Sequence, residues 1–294
     1  MIKEILRSKL FRGIEVEYMK NKKMLIAIIC GLIAIFLCCA LILDYILKKK
    51  NGEVTESLKN VIIDDSTYLD DSTDSEETKE TETEVKDEYL EKYNKKIDFE
   101  ELWAINKDVY AWIEIPGTEV SYPLLQHERD DEDEGEDDLY YLEHTIDKIN
   151  GLPGSIYTEP TWTSKDFRDF NTVVYGHEMR DDTMFGSLNN FKKEEYRKEH
   201  DEIVIYTPDE TIVYKLYAAV VYTNDHILYS YEEGNIEASK AFLESIDTGF
   251  DKSNYINEEI EIGTDDNLIT LSTCITSQPH RRYIIVGVAQ NIKK

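Results

Sequence analysis

Residues 24–43, MLIAIICGLIAIFLCCALIL, form a run of twenty uncharged and mostly apolar positions. A helix rises about 1.5 Å per residue, so such a run spans roughly 30 Å, the thickness of a bilayer's hydrocarbon core. It is too long for the apolar region of a cleaved signal peptide, about 7–15 residues, and LCCALILDYIL offers no small-residue cleavage site. The sequence therefore predicts an uncleaved signal anchor over residues 24–47. Residues 1–23 carry 7 Lys or Arg against 3 Glu, and the chain after Lys50 turns acidic. The positive-inside rule then puts the N-terminus in the cytoplasm and everything after residue 50 outside the cell membrane.

Residues 48–86 read as a disordered, self-repelling spacer, rich in Ser, Thr, Asp and Glu and poor in aromatics. A second acidic run, ERDDEDEGEDD at 128–138, holds 9 acids against Arg129. Charge runs are ordinarily solvated, and both read as exposed segments. With a formal net charge of −28, the chain lacks the clustered Lys and Arg that neutralise phosphates, so nucleic acid is excluded as a partner. From residue 87 onward apolar residues recur. Leu90, Tyr93, Ile97 and then Phe99, Leu102, Ile105 suggest two short amphipathic helices. Short β-rich segments follow: SIYTEP, NTVVYGH, EIVIYTP, TIVYKLYAAVVYT, LITLSTC and RYIIVGVAQ. Turn residues bound each of them, the signature of an antiparallel barrel or sandwich, and NIEASKAFLESI at 235–246 inserts one late helix.

Cysteine usage is informative. Cys30, Cys38 and Cys39 lie in the apolar run, which leaves Cys274 alone in the exported part, without an intramolecular disulfide partner. A solitary cysteine is ordinarily a small buried hydrophobe, so its surroundings must decide. Cys274 ends an apolar strand, and a thiolate nucleophile needs nearby positive charge and a proton-transfer partner. Among six histidines, His177 stands out because it opens the loop after the strand NTVVY, where a rigid scaffold presents it. Arg282 begins the next strand after Cys274; it stays protonated, so it is no base, but it can hydrogen-bond a developing oxyanion. Cys, His and Arg make a coherent acyl-transfer set. GHEMRDD at 176–182 lacks any zinc-ligand spacing, so neither metal nor cofactor is expected.

These segments carry a resemblance. TLSTC (270–274) followed by Arg282 resembles the active-site cysteine strand of the sortases, extracellular transpeptidases of Gram-positive bacteria. NTVVYGHEMRDDTMFGSLNNF (171–191) resembles the histidine segment of their class B branch. WIEIPGTEVSYPLLQ, YYLEHTI and GSIYTE are similar to that class in order and spacing. The resemblance implies a mainly β fold, an eight-stranded barrel with N-terminal helices and a helix before the cysteine strand, as a catalytic domain over 87–294. It implies that Cys274 attacks the Thr carbonyl of a C-terminal sorting motif in a secreted protein. His177 would protonate the leaving amine, and Arg282 would hold the carbonyl and oxyanion. Ser272 would line the groove floor, and Thr273 would help position substrate. The resulting thioester would pass to an amine of a peptidoglycan precursor; a pilin lysine or water are the alternative acceptors. Two departures from the class stand out: the acidic run 128–138, and a short cysteine-to-arginine spacing of eight that keeps Arg281 as a second candidate.

Overall fold

The computed structural model describes residues 61–63, 92–129 and 134–292, with isolated positions 33, 36, 38, 42 and 58 before them. It divides into two compact units, Met1–Lys59 and Asn60–Lys294. In the first, Ile33, Phe36, Cys38 and Ile42 are helical and exposed. The rest of the expected anchor, the N-terminal 23 residues and most of the expected spacer lie outside the described residues. Among the described residues no helix is long and apolar enough to cross a membrane.

In the second unit eight strands close on themselves. They are β3 (Val109–Glu114), β4 (Ser121–Leu125), β5 (Ile156–Tyr157), β6 (Asn171–Tyr175), β7 (Glu202–Tyr206), β8 (Thr211–Thr223), β10 (Leu268–Cys274) and β11 (Arg281–Ala289). Their order is β11-β10-β6-β5-β4-β3-β7-β8, and the long β8 pairs back onto β11 to complete the barrel. Pairing is antiparallel except for β4–β5 and β6–β10. The two-residue β9 (Tyr255–Ile256) adds to β8.

The strands that carry the site are buried on both faces. Val174, Ile269, Leu271, Tyr283 and Ile285 fill the barrel interior. Val173, Leu268, Ile284 and Val286 point the other way, into a second cluster with Phe242 and Ile246. Those last two belong to, or directly follow, the helix Ile236–Ser245, whose N-terminus is capped by the Asn235 side chain. Double burial explains why NTVVY and YIIVG read as continuous apolar runs rather than alternating ones.

Two segments differ from the sequence reading. Of the two expected N-terminal helices, the second forms as α1 (Phe99–Ile105), with Asp98 accepting the Glu101 N–H at its cap; of the first, Leu90 lies outside the described residues and Lys92 is helical. Lys96–Ile97 instead form β2, which pairs antiparallel with β1 (Ile62–Ile63). Strand β1 lies inside the stretch expected to be spacer, and Val61 beside it is fully buried. Val61, Ile62 and Ile63 are consecutive apolar residues in an otherwise polar stretch, which gives this short piece something to bury. The compact unit accordingly starts at Asn60, well before residue 87. The second difference concerns the acidic run 128–138, expected to be an exposed segment. Its later half enters helix α2 (Glu134–Glu143). Asp137 and Asp138 are buried, and Asp138 Oδ1 accepts the Thr161 N–H at 2.9 Å. Leu139 and Leu142, three apart, gave a helical spacing that the charges obscured.

Candidate active site

Strands β6 and β10 run parallel, with Ser272 opposite Tyr175, and both stop at the same barrel edge. One step past that pair, the Gly176 N–H donates to the Ser272 carbonyl at 3.2 Å. The Thr273 hydroxyl donates to the Gly176 carbonyl at 2.8 Å. The residue after Gly176 is His177, and the residue after Thr273 is Cys274. The shared register thus brings a histidine and a cysteine nearly 100 residues apart in sequence to one rim. In the antiparallel ladder on the other side of β10, Cys274 pairs directly with Arg282.

Six buried residues precede Cys274 in β10, and Cys274 itself is exposed, a free thiol at the strand's end. Strand alternation puts Ser272 on the same face as Cys274 and Thr273 on the opposite one. A cleft of about 320 Å³ opens there, lined by His177, Ser272, Thr273, Cys274 and Arg282. All five residues singled out from the sequence border the same space. Thr273 is 2% exposed and its hydroxyl is committed to the Gly176 carbonyl, so it secures the turn that launches His177.

The two arginines separate clearly. Arg282 lines the cleft, and its guanidinium donates to the Arg281 carbonyl at 3.0 Å and the Pro279 carbonyl at 3.4 Å. The Arg281 guanidinium lies 3.6 Å from the centre of the Phe250 ring, a cation–π contact away from the cleft lining.

Sequence reasoning missed the opposite wall. Leu139 and Leu142 of α2 line the cleft, and the Leu142 carbonyl is 2.8 Å from His177 Nε2. A carbonyl only accepts, so Nε2 carries the hydrogen and Nδ1 is the nitrogen left to exchange a proton. The cleft floor holds Tyr157 and Tyr175, stacked with ring centres 5.6 Å apart. Burial first, then the Glu159 carboxylate, pushes both phenols upward and keeps them neutral. Glu159 is buried and pairs with His226 Nε2 at 3.0 Å. That carboxylate raises the His226 pKa, against the opposing effect of burial. His226 Nδ1 accepts the Tyr229 N–H at 3.0 Å, capping the short helix Ile227–Ser230. No local pattern joins residues 159 and 226, so only the fold reveals this pair.

The remaining described histidines serve elsewhere. His127 and His144 both stack on the Tyr140 ring, with ring centres 3.9 and 4.0 Å away, and His200 Nδ1 meets the Pro116 carbonyl at 2.9 Å. His280 sits in the exposed loop between β10 and β11. Among the described residues, no group of three or more His, Cys, Asp and Glu side chains is arranged to hold a metal.

An exposed thiol at a strand end, a histidine fixed by one ring nitrogen, and a guanidinium across the ladder border one cleft, and these are the group types that acyl transfer requires. Known proteins point the same way. The family model for the Sortase domain matches residues 113–290. Sortase B of Listeria monocytogenes is 28% identical over 192 residues, covering 65% of this chain and 73% of that protein. Sortase B of Staphylococcus aureus is 29% identical over 198 residues, covering 66% and 75%. Among solved structures, a Streptococcus pyogenes class B sortase involved in pilus biogenesis superposes with a TM-score of 0.53 at 27% identity. It covers 65% of this chain and 97% of that one.

Proposed function

This chain belongs to the sortase family as a class B cysteine transpeptidase, and on that premise we propose that Cys274, His177 and Arg282 carry its reaction. The substrate is a C-terminal sorting motif of a secreted protein, and the acceptor is an amine of a peptidoglycan precursor. Cys274 Sγ bonds to the Thr carbonyl carbon, and the C–N bond breaks with the leaving amine taking a proton from His177. The acceptor amine then attacks the thioester, gives a proton back to His177, and the C–S bond breaks. Arg282 donates hydrogen bonds to the oxyanion in both halves. Ser272 borders the bound motif, and Thr273 holds the His177 turn. The observation that carries this reading is the shared register of β6 and β10, which ends both strands at one exposed thiol.

The test incubates the soluble part, from residue 60 onward, with a pentapeptide library and an amine acceptor, and identifies products by mass. A peptide–amine conjugate is expected; hydrolysis alone identifies a protease, and no cleavage of any peptide sinks the reading. The likeness to the pilus-biogenesis enzyme supports a second reading with a lysine acceptor, which lysyl-peptide acceptors added to the same assay distinguish.

The arginine assignment has its own test. Arg282→Lys keeps the charge but loses the planar forked donor set. A fall in kcat on the order of 10²–10³ is expected, as for other oxyanion donors, while Arg281→Ala retains activity. Near-full turnover by Arg282→Lys with a dead Arg281→Ala moves the role by one residue.

The N-terminal run serves as a single-pass anchor, with residues 1–23 cytoplasmic and the catalytic domain extracellular. Its length and charge flanks support this, as do the helical, exposed Ile33, Phe36 and Ile42 within it. External protease applied to intact protoplasts is expected to release a soluble, active fragment. Protection until the membrane is lysed refutes that orientation.

A further inference from the structure

Glu178 follows His177 directly, yet nothing in the transpeptidation scheme uses it. Its carboxylate joins two other elements. Oε2 accepts from the backbone N–H of Thr276 and from the Thr276 hydroxyl, the latter at 2.7 Å. Oε1 accepts from Asn189 Nδ2 at 2.7 Å. Thr276 is the second residue after Cys274, in the loop 275–280 that joins β10 to β11. Asn189 lies in the 3₁₀ helix Gly186–Lys192.

The connections continue. Asn189 Oδ1 accepts from Lys192 Nζ at 3.0 Å, and that ammonium sits 5.0 Å from the ring centre of Tyr283, the neighbour of Arg282. One carboxylate is thus tied to segments adjoining all three residues of the reaction.

The loop needs such a tie. Residues 276–280 are exposed, and Ser277 adopts a positive φ of 73°. The loop's own backbone bonds, Gln278 N–H to Ile275 and Arg281 N–H to Gln278, stay inside it. Among the described residues, the Thr276–Glu178 bonds are those that fasten residues 276–280 to a distant segment of the chain. That segment is the one bearing His177.

We propose that Glu178 is a positioning residue for transpeptidation, clamping the loop that leaves Cys274 onto the turn that presents His177. The inference rests on the roles assigned above to Cys274 and His177. Reacting groups must be held in near-attack geometry, and a displacement of about 1 Å costs up to about 10²-fold in rate. Bonds to a charged acceptor are also the stronger kind.

Two measurements on the full chain test it. Hydrogen exchange of the Thr276 amide reads the clamp with no substrate present. Glu178→Ala is expected to speed that exchange by at least about tenfold, because a bond to a charged group is lost. Glu178→Gln, whose amide oxygen still accepts, protects it. Steady-state kinetics with a pentapeptide and amine acceptor read the consequence. Glu178→Ala is expected to lower kcat about tenfold with KM little changed. Glu178→Gln recovers most of the loss, and Thr276→Val, which removes one of the two donors, falls between them.

An unchanged Thr276 exchange rate in Glu178→Ala overturns the clamp, as does an unchanged kcat in a folded variant. A Glu178→Gln enzyme as slow as Glu178→Ala although its Thr276 amide stays protected also overturns it, since the clamp would then not set the rate. Should Glu178→Ala fail to fold, Glu178→Gln and Thr276→Val still decide the question. Turnover surviving in Cys274→Ala is a separate failure, that of the transpeptidase reading itself.

Discussion

Cys274→Ala is expected to abolish thioester and product together while leaving the fold intact. The nucleophile supplies the covalent half of the reaction, and removing it from another acyl-transfer enzyme costs on the order of 10⁶ in kcat. The side chain is exposed at the end of β10, so its loss opens no cavity in the core. Surface changes of this kind stay within about 0.5 kcal/mol. Intact-protein mass spectrometry after mixing with a sorting pentapeptide reads the acyl-enzyme directly, and thermal melting reads the fold. A Cys274→Ala protein that still cleaves the peptide refutes the mechanism outright. One that has unfolded shows that the thiol is structural.

His177→Ala is expected to cost about 10²–10⁴-fold in turnover, the usual contribution of general acid–base catalysis. Expelling an amine without a proton donor is slow, and deprotonating the incoming amine has the same need. The structure sharpens the expectation. Because Nε2–H is engaged by the Leu142 carbonyl at 2.8 Å, the ring is held in one plane from α2, and the other nitrogen does the proton transfer. His177→Gln retains a donor for Leu142 but has no titrating nitrogen, so it should be as slow as alanine. Single-turnover measurements separate the two half-reactions, and both should slow. A His177→Ala enzyme within a few fold of the unaltered chain would move the proton-transfer role to another group. His226 is then the candidate, since it lines the same cleft.

Much of this architecture could be read from the chain by itself, because the signals are local. Apolar segments bounded by turn residues marked β5, β6, β7, β8, β10 and β11, and the helix-like stretch 235–246 marked the helix at 236–245. Where local signals conflicted, the reading failed. Nine acids within 128–138 hid the start of α2. The buried Tyr141, whose hydroxyl donates to Asp108 Oδ2 at 2.5 Å, and a buried Asp138 acceptor for the Thr161 N–H hold that helix in place against its own charge repulsion. Val61–Ile63 were lost in a polar stretch for a similar reason. Pairing with Lys96–Ile97 is a contact over more than thirty residues, and composition averaged over a window does not register it.

Residue types and order determined the chemistry that is possible: one cysteine outside the apolar run, a histidine after a strand, and an arginine opening the next. Those facts are local, and each follows from which side chains can attack, transfer a proton or donate to an oxyanion. Tertiary structure alone shows which of these side chains share a cleft. The parallel register of β6 and β10 brings His177 to the rim where Cys274 stands. Phe250 drew Arg281 away and left Arg282 to the groove. Leu142 and Glu178 gained their places through contacts 35 and 98 residues distant in sequence. Register and long-range packing are properties of the closed barrel, in which every strand's position depends on its neighbours, so no segment carries them by itself.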